Sequence, residues 1–326
     1  MNKIILVYIF SIALTNARSQ SEFLINDLSD KYYAKLTIDK DGNGLASILR
    51  KGDNVSLLKV EGGQFDFGLK PGQKTMKYKD QSVVVYDDFN FDGVKDLGIQ
   101  EFISSKGPAY MVFLFKDNAF KKDDVFTDII QASQGNYTLD PVKKTISTTS
   151  SGGCCIHASA LYAVKDGKPS EVKYSEEEIT EAFTTVTTRE WKEGKKTETT
   201  DKTLMFSDEP VMSFLLSSNK KKVMLFSTND RSLMYALVKG NNKVEFNFPA
   251  TEGNEGQDFT LSASRNELIF RNASAEYTVY QKVVAGKIGA VGIIVRTGGK
   301  EYDLKGDIAT LKGKLGGVME MENVAK

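Results

Sequence analysis

The sequence predicts an all-β protein of two domains. Three observations lead there. Short β-branched and aromatic runs recur at regular spacing along nearly the whole chain. Gly, Asn and Asp punctuate them where tight turns are needed. A cation-loop pattern, Asp88-Phe-Asn90-Phe-Asp92-Gly93-Val94-Lys-Asp96, sits between two such runs rather than between helices.

The elements follow in order. Tyr32 to Ile38 alternates and ends at Asp39-Lys-Asp41-Gly-Asn43-Gly44, which reads as a hairpin turn; it is also a weaker echo of the cation loop, with few charged positions. Ser56 to Val60, Gln64 to Leu69, Ser82 to Tyr86, Leu97 to Phe102 and Tyr110 to Phe115 read as strands. Lys144 to Thr149 and Ala160 to Val164 follow, the second ahead of a Lys165-Asp-Gly-Lys168 turn. Phe183 to Trp191 and Lys195 to Leu204 form a hairpin about Lys192-Glu-Gly194. One short helix is expected at Ser175 to Ala182, from a capping-box start that runs into threonines. Beyond Leu204 come Val211–Leu216, Val223–Phe226, Leu233–Val238, Val244–Phe248, Phe259–Ala263, Glu267–Phe270, Tyr277–Tyr280, Ile288–Val295 and Tyr302–Leu304. Such spacing means a sandwich, barrel or propeller. The boundary is placed between Lys202 and Pro210, giving domains of 20–205 and 206–326.

Residues 1–19 read as a secretory signal. Lys3 supplies the positive start, Ile4 to Leu14 are mostly apolar, and Thr15-Asn-Ala17 or Ala17-Arg-Ser19 offers small residues for cleavage. The run is too short to span a bilayer, and no lipobox Cys follows it. The mature chain is expected in the periplasm or outside the cell, not spanning a membrane. Lys+Arg and Asp+Glu both number 43, which argues against nucleic-acid and polybasic membrane roles.

The loop at 88–96 places oxygen side chains at positions 1, 3, 5 and 9, with Gly at position 6 for the sharp turn. The Val94 carbonyl at position 7 adds another oxygen. Without a cation, Asp88, Asp92 and Asp96 repel one another. A helix–loop–helix hand needs Glu at position 12, where this chain has Ile99. The expected ion is therefore Ca2+ in a strand–loop–strand setting, in a structural role. The competing reading is an Asx-rich turn that binds nothing.

Both cysteines are adjacent, in Ser150-Ser151-Gly152-Gly153-Cys154-Cys155-Ile-His157. Three states are open: a vicinal disulfide, a pair of free or intermolecularly bridged thiols, and a metal site with His157, the sole histidine. No G-x-S-x-G, H-E-x-x-H, P-loop or dinucleotide fingerprint occurs, so the chain is expected not to be an enzyme.

The run from Val85 to Gly98, with Tyr110 to Phe115, Ser147 to His157 and Tyr162 to Lys168, resembles a family of bacterial periplasmic calcium-binding immunity proteins. These block peptidoglycan hydrolases delivered by type IV secretion and are related to propeller-like inhibitors of i-type lysozyme. The resemblance covers roughly residues 25–200. It implies a β-propeller-like N-terminal domain, with Asp88, Asn90, Asp92, the Val94 carbonyl and Asp96 as Ca2+ ligands. It also implies a hydrolase partner contacted through Ser150, Ser151, Gly152, Gly153 and Tyr162. The chain departs from the family in lacking the lipid-bearing Cys. Residues 206–326 are left as a second small β domain, barrel or sandwich. The alternative function is a calcium-dependent β module for adhesion or carbohydrate binding.

Overall fold

The structure, a computed structural model, describes residues 21–39, 41, 43–65, 74–205, 209–228, 231–252 and 256–326. The expected signal segment, and most of the strand expected over Gln64 to Leu69, lie outside them. The protein is all-β. Its chain forms two compact units: residues 21–150 with 159–173, and residues 151–158 with 174–326. Its cuts fall inside three strands, at 150/151, 158/159 and 173/174, whereas the boundary read from sequence is at 205/206.

The first unit opens with a four-stranded meander of β1 (Ser21–Ile25), β2 (Tyr32–Ile38), β3 (Asn43–Arg50) and β4 (Ser56–Gln64). A second follows: β5 (Val84–Asp87), β6 (Asp96–Ser104), β7 (Gly107–Lys116) and β8 (Ala119–Lys122). Helix α1 (Asp124–Ala132) then leads into β9 (Tyr137–Asp140), β10 (Thr145–Ser151), β11 (Ile156–Lys165) and β12 (Lys168–Ile179). Strands β10, β11 and β12 contribute residues to both units.

Strand β7 shows why these layers stack. Met111 and Phe113 face the first meander and join Ile25, Leu36 and Ile48 in one core. Tyr110, Val112 and Leu114 alternate to the other face, where they meet Phe126 and Ile130 of α1, Ile146 and Val164. Period-2 alternation with both faces covered turns a strand into an unbroken apolar run.

Helix α1 is not where sequence placed a helix. Residues 175–179 continue strand β12 instead; their β-branched neighbours favour the extended chain. The helix forms at 124–132 because Asp123 caps it, accepting the Val125 and Phe126 N–H groups at 3.1 Å each. Phe126, Ile129 and Ile130 line its buried face.

The second unit contains β13 (Phe183–Lys192) and β14 (Lys195–Leu204), joined at Glu193-Gly194, both with positive φ (53° and 76°). This is the hairpin read from sequence. Then come β15 (Met212–Leu216), β16 (Lys222–Thr228), β17 (Ser232–Val238), β18 (Val244–Phe248), β19 (Phe259–Ser262), β20 (Glu267–Asn272), β21 (Ala275–Val284), β22 (Lys287–Thr297), β23 (Lys300–Gly313) and β24 (Val324–Ala325). They form a ten-stranded sheet in the order β18-β17-β16-β15-β23-β22-β21-β20-β19-β24.

That sheet curls on itself. β18 is one edge and β20 lies near the other, yet Phe248 stacks on Phe270 with ring centres 4.7 Å apart. Phe248 also meets Phe259 of β19 at 5.4 Å, and Tyr235 meets Phe270 at 5.0 Å. Aromatic rings thus close the roll across a gap that no backbone ladder spans. Of the two alternatives read from sequence, the second domain takes the barrel-like one.

Candidate metal centre

The loop 88–96 joins β5 to β6, and its alternating sequence decides its shape. Phe89 and Phe91 are buried and join the apolar core around α1. The residues between and around them carry the oxygens. Phe91 holds a positive φ of 57° and Gly93 one of 91°. Such backbone is tolerated because the core grips the aromatic rings on either side of Asn90.

Backbone donors orient the oxygens. Asp88 Oδ1 accepts the Asp92 N–H at 3.2 Å, and its Oδ2 accepts the Gly93 N–H at 2.9 Å. Asn90 Oδ1 shares the Asp92 N–H at 3.0 Å. Asp92 Oδ1 accepts the Val94 N–H at 2.8 Å, and its Oδ2 takes a bond from the Asn90 amide at 3.0 Å. Positions 1, 3 and 5 are therefore all turned toward the loop's own backbone. Each carboxylate oxygen keeps a lone pair after one such bond.

Asp96 differs. It is fully buried, its Oδ2 accepts the Phe89 N–H at 3.0 Å and its Oδ1 the Phe115 N–H at 2.8 Å. Burial pushes its carboxyl up to about 7, the two N–H bonds oppose that, and Asp92 and Asp88 raise it further. Asn90 is also buried, Asp88 is half-buried, and Asp92 and Val94 are exposed. Lys144, from the turn before β10, donates to the Phe91 carbonyl at 3.2 Å. Sequence reading missed this clamp and the two phenylalanine anchors; the D-F-N-F-D alternation was their signal.

Among the described residues, no three His, Cys, Asp or Glu side chains are gathered closely enough to hold a metal by themselves. The donor set of the loop is nonetheless all oxygen, with an amide and a carbonyl beside the carboxylates. That chemistry fits a hard cation of flexible coordination, Ca2+ before Mg2+. The fainter pattern at Asp39 closes as a turn: Asp39 Oδ1 accepts the N–H groups of Asp41 and Asn43 at 2.9 Å each.

The expected contact residues divide between the units. Ser150 and Tyr162 belong to the first, where Tyr162 packs half-buried on the core containing Phe89. Ser151, Gly152 and Gly153 form a tip of the second. There the Ser151 hydroxyl donates to the Gly153 carbonyl at 2.7 Å, and the Gly152 N–H to the Ile156 carbonyl at 2.8 Å. The sulfurs of Cys154 and Cys155 are bonded to each other, and the Cys155 carbonyl accepts the Ile179 N–H at 2.7 Å. His157 is exposed. No helix of the described residues is long and apolar enough to cross a membrane.

No protein-family model matches the chain, and no curated protein matches it. Among solved structures it is similar to a Xanthomonas type IV secretion system related protein, at 17% identity over 56% of this chain and 94% of that one, with a TM-score of 0.39. It is also similar to the periplasmic gluconolactonase PpgL of Pseudomonas aeruginosa, at 12% identity over 87% and 72% of the two chains, TM-score 0.21. TolB from Acinetobacter baumannii gives 10% identity over 90% and 64%, TM-score 0.19. At these TM-scores none of the likenesses carries a functional argument.

Proposed function

We propose that the protein is an exported, calcium-stabilised binding protein that inhibits a peptidoglycan hydrolase, and that it has no catalytic activity of its own. One observation supports the calcium part of this reading: the loop 88–96 orients the oxygens of three alternate residues, Asp88, Asn90 and Asp92, through backbone N–H bonds. Asp88, Asn90, Asp92, the Val94 carbonyl and Asp96 would hold Ca2+. The ion supplies charge neutralisation and fixes β5 against β6. In this reading the packed meanders of the first unit are propeller blades.

The proposed contacts with the enzyme are Ser151, Gly152 and Gly153 at the tip of the second unit and, in the first unit, Ser150 and Tyr162. A tip already tied by its own hydrogen bonds loses little entropy on docking. Residues 1–19 act as the export signal, and the site of action is the periplasm or beyond.

The experiment is lysis of cell-wall suspensions by lysozyme-type hydrolases, followed by turbidity. Micromolar protein should slow lysis by at least one such enzyme, and Gly152→Asp should relieve the block. Unchanged lysis across the panel, with the protein folded and calcium-loaded, rejects the inhibitor reading.

A further inference from the structure

The hairpin of β13 and β14, with the end of β12, presents a two-faced ribbon whose faces can be assigned from contacts. The Arg189 guanidinium lies over the Tyr174 ring at 4.1 Å, so odd-numbered residues of β13 share a face with Tyr174. The hydroxyls of Ser175 and Thr188, 3.4 Å apart, mark the opposite face. Register then adds Thr187 opposite Thr200 and Trp191 opposite Lys196 to the Arg189 face.

Several charged side chains share that face, and their partners differ. Glu198 stands directly opposite Arg189, yet it pairs with Lys196 at 3.0 Å. Glu176 accepts the Tyr174 hydroxyl at 2.6 Å. Lys202 donates to Asn247 at 3.1 Å. Arg189 has no ion pair among the described residues, and its Nε is shielded from solvent without a hydrogen-bond acceptor. The outward nitrogens remain for a ligand, and a guanidinium is shaped for a carboxylate.

We propose that this face binds a saccharide carrying a carboxylate. The carboxylate takes the outward nitrogens of Arg189, which Tyr174 holds flat. The half-buried Trp191 ring, two residues along the same strand, receives a sugar ring once Lys196, now 5.8 Å from its centre, swings aside, and the hydroxyls of Thr187 and Thr200, 3.3 Å apart, bond to the sugar's own. The site is independent of the hydrolase reading and uses none of its residues.

Trp191 is the sole tryptophan of the chain, so its emission reports this face alone. The full-length mature protein is titrated with a galacturonate trisaccharide and, separately, with neutral galactotriose at low ionic strength. The acidic sugar should give a saturable change in Trp191 emission. Arg189→Gln should weaken it by roughly tenfold or more. In wild type, the Arg189 Nε–H resonance should shift with the acidic sugar alone, a readout that stands even if R189Q does not fold. No saturable change, or equal response to both sugars, overturns the proposal. Sugar binding without hydrolase inhibition, or the reverse, separates this inference from the function proposed above.

Discussion

Asp96 Oδ2 accepts the backbone N–H of Phe89 at 3.0 Å, so the ninth residue of the loop holds the second in place. The same carboxyl reaches the Phe115 N–H on β7 at 2.8 Å. A fully buried carboxylate thereby anchors both the loop and the neighbouring strand. Its ionisation is opposed by burial and by Asp88 and Asp92. A bound divalent cation would reverse that balance, since an opposite charge at a few ångströms favours the ionised form. In the calcium reading proposed above, metal and fold would support each other.

Calcium should therefore raise the melting temperature, and chelator should lower it. With free calcium at about 100 times Kd, the gain is about 2.7 kcal/mol. Asp92→Ala removes an exposed oxygen donor and should abolish most of the calcium response, and it also costs the chelated protein the bonds to the Val94 N–H and the Asn90 amide. Differential scanning calorimetry with calcium, magnesium and chelator checks this. Identical melting in all three conditions eliminates the metal centre.

The same carboxyl predicts a pH dependence in chelator. Its folded value of about 7 lies above its ordinary 3.8, so the folded state holds this proton more tightly. The stabilisation from that proton is complete below the unfolded value. It drains away as pH rises from about 4 to about 7. Subtracting Asp96→Asn from wild type isolates the effect from other carboxylates. The wild-type-minus-variant difference in urea stability should shrink across this window in chelator and hold steady in excess calcium. A difference that grows with pH in chelator contradicts the buried-carboxyl assignment.

Much of the fold was legible because period-2 patterns survive wherever a strand is buried. Tyr110 to Phe115 could be read as a strand though neither face is polar, and Glu193-Gly194 announced its hairpin. The helix at 124–132 was missed despite Asp123 and the Phe126, Ile129, Ile130 spacing, because its aromatic and β-branched content also suits a strand. Ser175 to Ile179 misled in the opposite way: a capping-box pattern is local, and the pairing that makes it a strand is not. In the loop, oxygen spacing was visible but the burial of Asp96 was not, since burial depends on strands that arrive later in the chain. The curl of the ten-stranded sheet depends on contacts such as Phe248 with Phe270, which no local pattern encodes.

Gly306 tests that curl. A Cβ there would lie 2.4 Å from Phe214 Cδ2 and 2.8 Å from Val291 Cγ2. Phe214 is buried and has no room to retreat. Gly306→Ala should cost about 1–3 kcal/mol through overpacking. Gly316→Ala, whose Cβ meets nothing nearer than 3.8 Å, serves as the control and should be near neutral. Equal urea midpoints for the two variants would show that the ring packing is looser than described.

The chain's end is fastened by a side chain that imitates a strand. Asn323 Oδ1 accepts the Leu233 N–H at 2.7 Å, and Asn323 Nδ2 donates to the Leu233 carbonyl at 3.0 Å. The same Nδ2 reaches Asp258 at 3.1 Å, and the Asn323 carbonyl accepts the N–H groups of Asp258 and Phe259 at 3.1 Å each. One buried amide thus satisfies both backbone groups of Leu233 at the edge of β17. Asn323→Ala leaves that buried N–H and C=O without partners, at about 1–3 kcal/mol each before relaxation. Asn323→Asp keeps the acceptor but sets a carboxylate against the Leu233 carbonyl and Asp258, so it should rescue little at neutral pH. Urea denaturation of the two variants checks the pair; a loss below about 0.5 kcal/mol in the alanine variant, the scale of an ordinary surface change, would show that water replaces the amide at no cost.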